Sequence, residues 1–236
     1  MSRTKMPRPL AITVWILRTV LLAIILIVPT ILFWRMCTSG NPKAVKYLSP
    51  NQNLRDAYAT HGDNLILQYQ KQASITRAES NAGYFSVTQC VFIPEANQVQ
   101  IVFRYNNSTL RHLAEDYKLD SVPAKSGIWF DVTLVKTTDL TPESKDDNLD
   151  PVTLSTERFF PSGEPIRDET GLYTFFRYTF DNITIDDLTD GIYVDVYYNG
   201  ALDYSEKPYG TLCIYAYDSE WIPYRMTASE KKSLQK

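Results

Sequence analysis

The sequence predicts an all-β body, an antiparallel β-sandwich, carried behind one N-terminal transmembrane helix. Three observations lead there. Leu10–Trp34 reads LAITVWILRTVLLAIILIVPTILFW with Arg18 as its one charge, and about 20 helical residues cross a hydrocarbon core of roughly 30 Å. From residue 64 onward the hydrophobic period is two, as in half-buried strands. These runs are parted by turn clusters without helices of βαβ length between them, which favours stacked antiparallel sheets over an α/β fold.

The anchor occupies residues 10–34. Arg3, Lys5 and Arg8 precede it, and Arg18 can snorkel back to the same interface; Arg35, Lys43 and Lys46 follow. Residues 1–9 are therefore assigned to the cytoplasm and the long remainder to the extracytoplasmic side, with length asymmetry a stronger guide than the small charge bias. Trp15 and Trp34 suit the two interfaces, and a membrane helix tolerates Pro29. A cleaved signal peptide competes, with Thr19–Phe33 as its apolar core and Thr38-Ser39-Gly40 as its small residues. The bulky Trp34-Arg35-Met36 and the length of the run favour a retained anchor. The same bulky triplet before Cys37 lacks the small residues of a lipid-attachment signal.

Residues 35–63 read as a juxtamembrane connector with one helical turn at LRDAY, and the sandwich is expected over residues 64–226. Leu65, Leu67 and Tyr69 alternate with Ile66, Gln68 and Gln70. Phe85, Val87, Val91 and Ile93 form a second set, in which Gln89 breaks the pattern. Pro94-Glu95-Ala96-Asn97 is a turn signal, and Val99, Ile101, Phe103 and Tyr105 then line one face of a third strand, completing a hairpin. Ile128, Phe130, Val132 and Leu134 give the cleanest alternation, that of a central strand. Later sets are Phe176, Tyr178 and Phe180; Ile192, Val194, Val196 and Tyr198; and Leu212, Ile214 and Ala216. Residues 227–236 form a polar tail in which Thr227 and Glu230 have capping-box spacing.

The Phe176, Tyr178, Phe180 pattern and the Ile192–Tyr198 alternation resemble late strands of the immunoglobulin-like modules that single-pass anchors carry outside Gram-positive cells. That resemblance implies a binding or structural role and carries over no functional residue. The chain departs from antibody-type domains: Cys90 and Cys213 lie too far apart for the usual inter-sheet bridge, and no Trp sits midway between them.

Cys90 and Cys213 fall in strand-like runs; they are either a disulfide formed in an oxidising compartment or two unpaired buried thiols. Asp146, Asn148, Asp150 and Glu157 occupy positions 1, 3, 5 and 12 of a calcium loop, but Pro151 stands where the sixth position needs φ > 0, so an EF-hand is excluded and the group is either a calcium site of another kind or a solvated acidic loop. Asp181, Asp186, Asp187 and Asp190 make a second acidic group of the same standing. Asn106, Asn107 and Asn182 begin N-x-[ST] patterns, relevant where exported chains are glycosylated. Tyr193, Tyr197, Tyr204, Tyr209, Tyr215 and Tyr217 offer either a sugar- or peptide-binding surface or the packing of a second sheet.

With a net charge of −3 there is no basic footprint for nucleic acid. His61 and His112 are the only histidines, each isolated in a polar segment, so a histidine metal site or catalytic triad has almost no material to draw on. No nucleophile elbow, phosphate loop or HExxH pattern occurs, no cofactor is called for, and no enzyme is expected. Carboxylates such as Asp186 and Glu169 can still meet in space, so a cell-envelope hydrolase is the alternative. The partners expected are the lipid bilayer and a protein or other cell-surface ligand. Arg18 leaves open a role as subunit of an envelope complex, paired with an acidic residue of another membrane protein.

Overall fold

The computed structural model describes residues 8–70, 84–137, 155–184, 187, 192–204, 206, 208–214 and 222–235. The chain divides into two compact units, Met1–Gly40 and Asn41–Lys236. The first holds helix α1 (Arg8–Ser39), whose segment Trp15–Trp34 is long and apolar enough to cross a membrane. Pro29 withdraws one N–H from its ladder, and the Thr30 hydroxyl donates to the Leu26 carbonyl at 2.7 Å.

The body consists of two antiparallel sheets. The described strands are β1 (Gln68–Gln70), β2 (Phe85–Ile93), β3 (Gln98–Asn106), β4 (Phe130–Thr137), β5 (Ser155–Phe159), β6 (Ile166–Glu169), β7 (Tyr173–Asp181), β8 (Ile192–Tyr198), β9 (Gly210–Cys213) and β10 (Ile222–Pro223). One sheet runs β10-β1-β2-β3-β7-β6 and the other β5-β4-β8-β9. Val99, Ile101, Phe103 and Tyr105 from β3 meet Phe130, Val132 and Leu134 from β4 and Ile192, Val194 and Val196 from β8 in one buried cluster. The expected sandwich core is therefore present, and β4 lies inside its sheet, as its alternation required.

β2 departs from a single alternating set. Its register against β3 shifts between Val87 and Gln89, a bulge that reverses the parity of everything after it. Phe85 and Val87 point into the sandwich, followed by Cys90 and Phe92, whereas Val91 and Ile93 point the other way. Gln89 is no exception within one face; it marks the slip.

The outer face of the six-stranded sheet is buried by helices. α2 (Lys43–Lys46) sets Val45 on Val102 and Phe175. α3 (Gln52–His61), capped by Asn51 and ended by Gly62 at φ 57°, packs Leu54 and Ala57 over Val91 and Ile93. After β3 comes α4 (Thr109–Asp116), whose Leu110 and Leu113 join the main core. Thr227 caps α5 (Ala228–Leu234) in a capping box with Glu230, and Leu234 packs beside Leu54. Of the segment read as a connector, residues 35–63, the first five continue α1 to Ser39 and the part from Asn41 on belongs to the packed body, and the tail is docked. Its Asn, Pro and charged residues hid three buried anchors, Val45, Leu48 and Leu54.

A buried polar seam fastens this layer. Arg177, 1% exposed on β7, donates from Nε to the Val45 carbonyl at 2.9 Å, from Nη2 to the Lys46 carbonyl at 3.2 Å and to Gln89 Oε1, and from Nη1 to Gln100 Oε1 at 3.3 Å. Burial pulls its pKa down to about 10, and the fields of Tyr224 and Glu230 work against that fall. Gln100 pairs both ways with the Ser49 backbone, at 2.8 and 3.0 Å. Glu230, 1% exposed, accepts from the Leu48 N–H at 2.9 Å and the Tyr224 hydroxyl at 2.7 Å.

Arg177→Met keeps the bulk but orphans the buried Val45 carbonyl and the part-buried Lys46 carbonyl. The expected loss is about 3 kcal/mol of unfolding free energy, measured by urea denaturation; an unchanged midpoint would show the seam to be dispensable.

Candidate functional site

The outward positions of β4, β5 and β8 bring together a group of aromatic and charged side chains. Antiparallel register sets Asp131 opposite Tyr197 and Thr133 opposite Asp195, so both carboxylates stand on the face turned away from the core. Arg158 reaches over them from β5. Its guanidinium carbon lies 5.0 Å from the Tyr197 ring centroid and 5.3 Å from that of Tyr204, its Nη1 donates to the Tyr197 hydroxyl at 2.7 Å, and its Nη2 is 3.9 Å from Asp195 Oδ2. The Tyr204 hydroxyl donates to Asp131 Oδ2 at 2.6 Å, and the half-exposed Phe160 ring meets Tyr204 edge-on at 5.1 Å.

Burial raises the Asp195 pKa above its ordinary 3.8, opposed by the Thr211 hydroxyl and Arg158; burial and the Asp131 carboxylate raise that of Tyr204. This face offers aromatic edges, one shared guanidinium and two carboxylates, each already holding a hydroxyl donor.

The tyrosines read as one group separate. Tyr197 and Tyr204 join this cluster, Tyr193 lies on the same strand half-buried, and Tyr209 is a core residue whose hydroxyl donates to Asp116 at 2.8 Å. Tyr215 and Tyr217 fall outside the described residues. So do Asp146, Asn148 and Asp150; Glu157, the fourth member of that set, is exposed on β5 opposite Lys136. Among the described residues no group of three or more His, Cys, Asp or Glu side chains is placed to hold a metal ion.

The second acidic group is divided too. Asp181 accepts from Gln98 at 2.7 Å and Asn51 at 3.3 Å, and Asp187 pairs with Lys136 at 3.1 Å, while Asp186 and Asp190 lie outside the described residues. Glu169, offered as a partner for Asp186, instead receives Arg167 at 2.8 Å.

Of the two cysteines, Cys90 is a free thiol buried in the core, where burial pushes its pKa up to about 12. Its bridge to Cys213 is not formed; Cys213 occupies the β9 position opposite Tyr193 in the other sheet. Asn106 and Asn107 are half-buried, and Asn107 accepts from the Thr174 hydroxyl at 2.7 Å, while Asn182 is exposed at φ 62°. His112 stacks on Tyr84 at 4.7 Å, and His61 is exposed at the end of α3. Arg18 is exposed within α1.

Arg158 and Arg177, the two side chains that organise the polar groups of the body, were missed. For Arg177 a signal existed: its strand, YTFFRYTF, carries aromatic residues at both odd and even positions, the pattern of a strand covered on both faces, where a charge requires partners.

Comparison of the chain with protein-family models, with curated proteins and with solved structures gives no match.

Asp195 titrates with a raised pKa in the folded state, so stability linked to it is full below pH 3.8 and declines as pH climbs through the raised value. As pH rises from about 4 through that raised value the wild type should lose stability relative to Asp195→Asn in paired melting curves, and parallel pH profiles would refute the linkage. Cys90 in the native chain should resist iodoacetamide at neutral pH and react once the chain is unfolded, as peptide mass spectrometry would read.

Proposed function

We propose that the chain is a single-pass membrane protein whose extracytoplasmic, immunoglobulin-like sandwich serves as a non-catalytic binding or assembly module at the cell surface. The observation that carries this reading is the strand order behind an apolar helix. β2-β3-β7-β6 stacked on β5-β4-β8-β9 is the order A-B-E-D over C′-C-F-G, with β1 and β10 added beside the A strand. Modules of this order present ligands with loops and sheet faces on a rigid frame. The helix supports the membrane half of the reading, because Trp15–Trp34 is unburied and followed within a few residues by the packed body. Basic Arg3, Lys5 and Arg8 on the near side favour a cytoplasmic N-terminus.

The binding reading is preferred to the hydrolase because Asp131 and Asp195, the carboxylates that share a face, are committed to Tyr204, Thr211 and Arg158. A general acid–base pair instead needs a free, exchangeable proton at the substrate.

Protease added to intact cells should digest epitopes placed after residue 41 and spare one at the N-terminus, with the full-length mass retained in membranes. Protection of the body, or a mature N-terminus near residue 41, would overturn the assignment. Pull-down with the full chain from native membranes should recover a partner that Tyr204→Ala or loop substitutions release.

A further inference from the structure

Helix α3 and the turn between β2 and β3 enclose a hollow of about 280 Å³. Asn53, Asp56, Thr60 and His61 line it from the helix, and Glu95 and Asn97 line it from the turn. Ala57 and Ala96 are its apolar part, and both pack against the cluster that holds Leu54 and Ile93. The turn is braced too: Asn97, at φ 45°, donates its N–H to the Pro94 carbonyl at 3.0 Å, and its own carbonyl accepts from the Ile183 N–H at 2.9 Å. The fold thus sets both walls before any ligand arrives, as in most small-molecule sites.

The polar groups here are chiefly acceptors, and most are uncommitted. Glu95 is half-buried, and its Oε2 is shut off from solvent without a hydrogen-bond partner, a costly state for a carboxylate oxygen until a donor fills the place. Asp56 receives Gln52 Nε2 on Oδ1 at 2.7 Å, which leaves Oδ2 open, while the Thr60 hydroxyl is turned to the Asp56 carbonyl at 2.9 Å. Asn53, His61 and Asn97 are exposed, and their side chains have no partner among the described residues. The lining includes neither Lys nor Arg; Arg55 of α3 is outside it, and Lys231 is held by Asp63 at 2.6 Å. The C-terminal half of α3, the negative end of its dipole, adds to the same field. Asp56, His61 and Glu95 do not converge as metal ligands, so the positive charge that this hollow suits is an organic one.

We propose that the hollow binds a primary alkylammonium group, that of a free amine or of a lysine side chain, with the ammonium on Glu95 Oε2 and the Asp56 carboxylate and the methylenes on Ala57 and Ala96. An ammonium spreads three donors about one point, whereas a guanidinium fork pairs two oxygens side by side, and Glu95 offers one enclosed oxygen. The inference depends neither on the membrane assignment nor on the Arg158 face.

The test uses the full chain in phosphatidylcholine nanodiscs with methyl-labelled alanine, so that Ala57 and Ala96 report on the hollow by NMR. At constant ionic strength, butylammonium chloride should shift both signals along a saturating curve. Glu95→Gln and Asp56→Asn should each raise the half-saturating concentration about tenfold, the loss of one charge-assisted hydrogen bond, with the other alanine methyls unmoved. Nα-acetyl-lysine methylamide separates the two sources: saturation by it as well assigns the hollow to a partner's lysine, and saturation by butylammonium alone assigns it to a free amine. Equal shifts with neutral butanol, a drift that never saturates, saturation by calcium instead of the amine, or an unchanged titration in Glu95→Gln would each overturn the proposal.

Discussion

A guanidinium held away from water sets the terms for the rest of the body. Arg177 cannot shed its charge at any physiological pH, so burying it in the middle of β7 is tolerable only if each of its donors finds an oxygen. The sheet itself supplies two acceptors, Gln89 and Gln100, and the others come from backbone carbonyls of residues 45 and 46. The need to satisfy one side chain therefore recruits a segment from more than a hundred residues earlier in the chain. That recruitment covers the outer face of the sheet and lets Val45 bury itself on Val102 and Phe175. Replacing the seam by apolar groups of like volume could stabilise the layer as well; what the polar version adds is register, because a guanidinium fork accepts only one alignment of the 45–46 backbone.

The same logic explains why the outer face of β2, β3 and β7 is buried, with its polar groups paired inside the protein, whereas β4 and β8 present carboxylates on theirs. The three strands of the larger sheet are sandwiched between the second sheet and the helical layer, and their outward positions hold Val91, Ile93, Val102 and Phe175 along with buried glutamines. In the smaller sheet the outward positions are Asp131, Thr133, Asp195 and Tyr197, and their polar groups are largely answered by Arg158, Tyr204 and Thr211. Covering one sheet with helices and the other with its own long side chains leaves two different kinds of surface on one body.

The inner faces were legible in the sequence because period-two alternation is a direct image of a pleated strand packed on one side. Phe130, Val132 and Leu134, or Ile192, Val194 and Val196, could be placed in the core from their spacing alone. The outer layer was not legible for the opposite reason. Val45, Leu48 and Leu54 are isolated apolar residues among Lys, Asn, Pro and Asp, and short helices that bury one or two side chains each leave too small a periodic signal. β2 failed at one residue: a bulge leaves composition unchanged while shifting every later side chain to the other face, so Val91 and Ile93 looked like partners of Phe85 and Val87. The candidate surface failed more deeply. Arg158 is 39 residues from Tyr197 and 37 from Asp195 in sequence, and only the pairing of β5 and β8 on either side of β4 brings them together.

Glu230 completes the coupling of distant chain segments. Its carboxylate receives the Leu48 N–H and the Tyr224 hydroxyl on one oxygen and closes the Thr227 capping box with the other. A capping box alone needs no buried carboxylate; solvated ones serve equally well. Burying this one makes α5 depend on the segment around Leu48, just as that segment depends on Arg177. Loosening either end uncovers Val91 and Ile93 and leaves an ionised group without its donors, so the layer comes away as a unit or not at all.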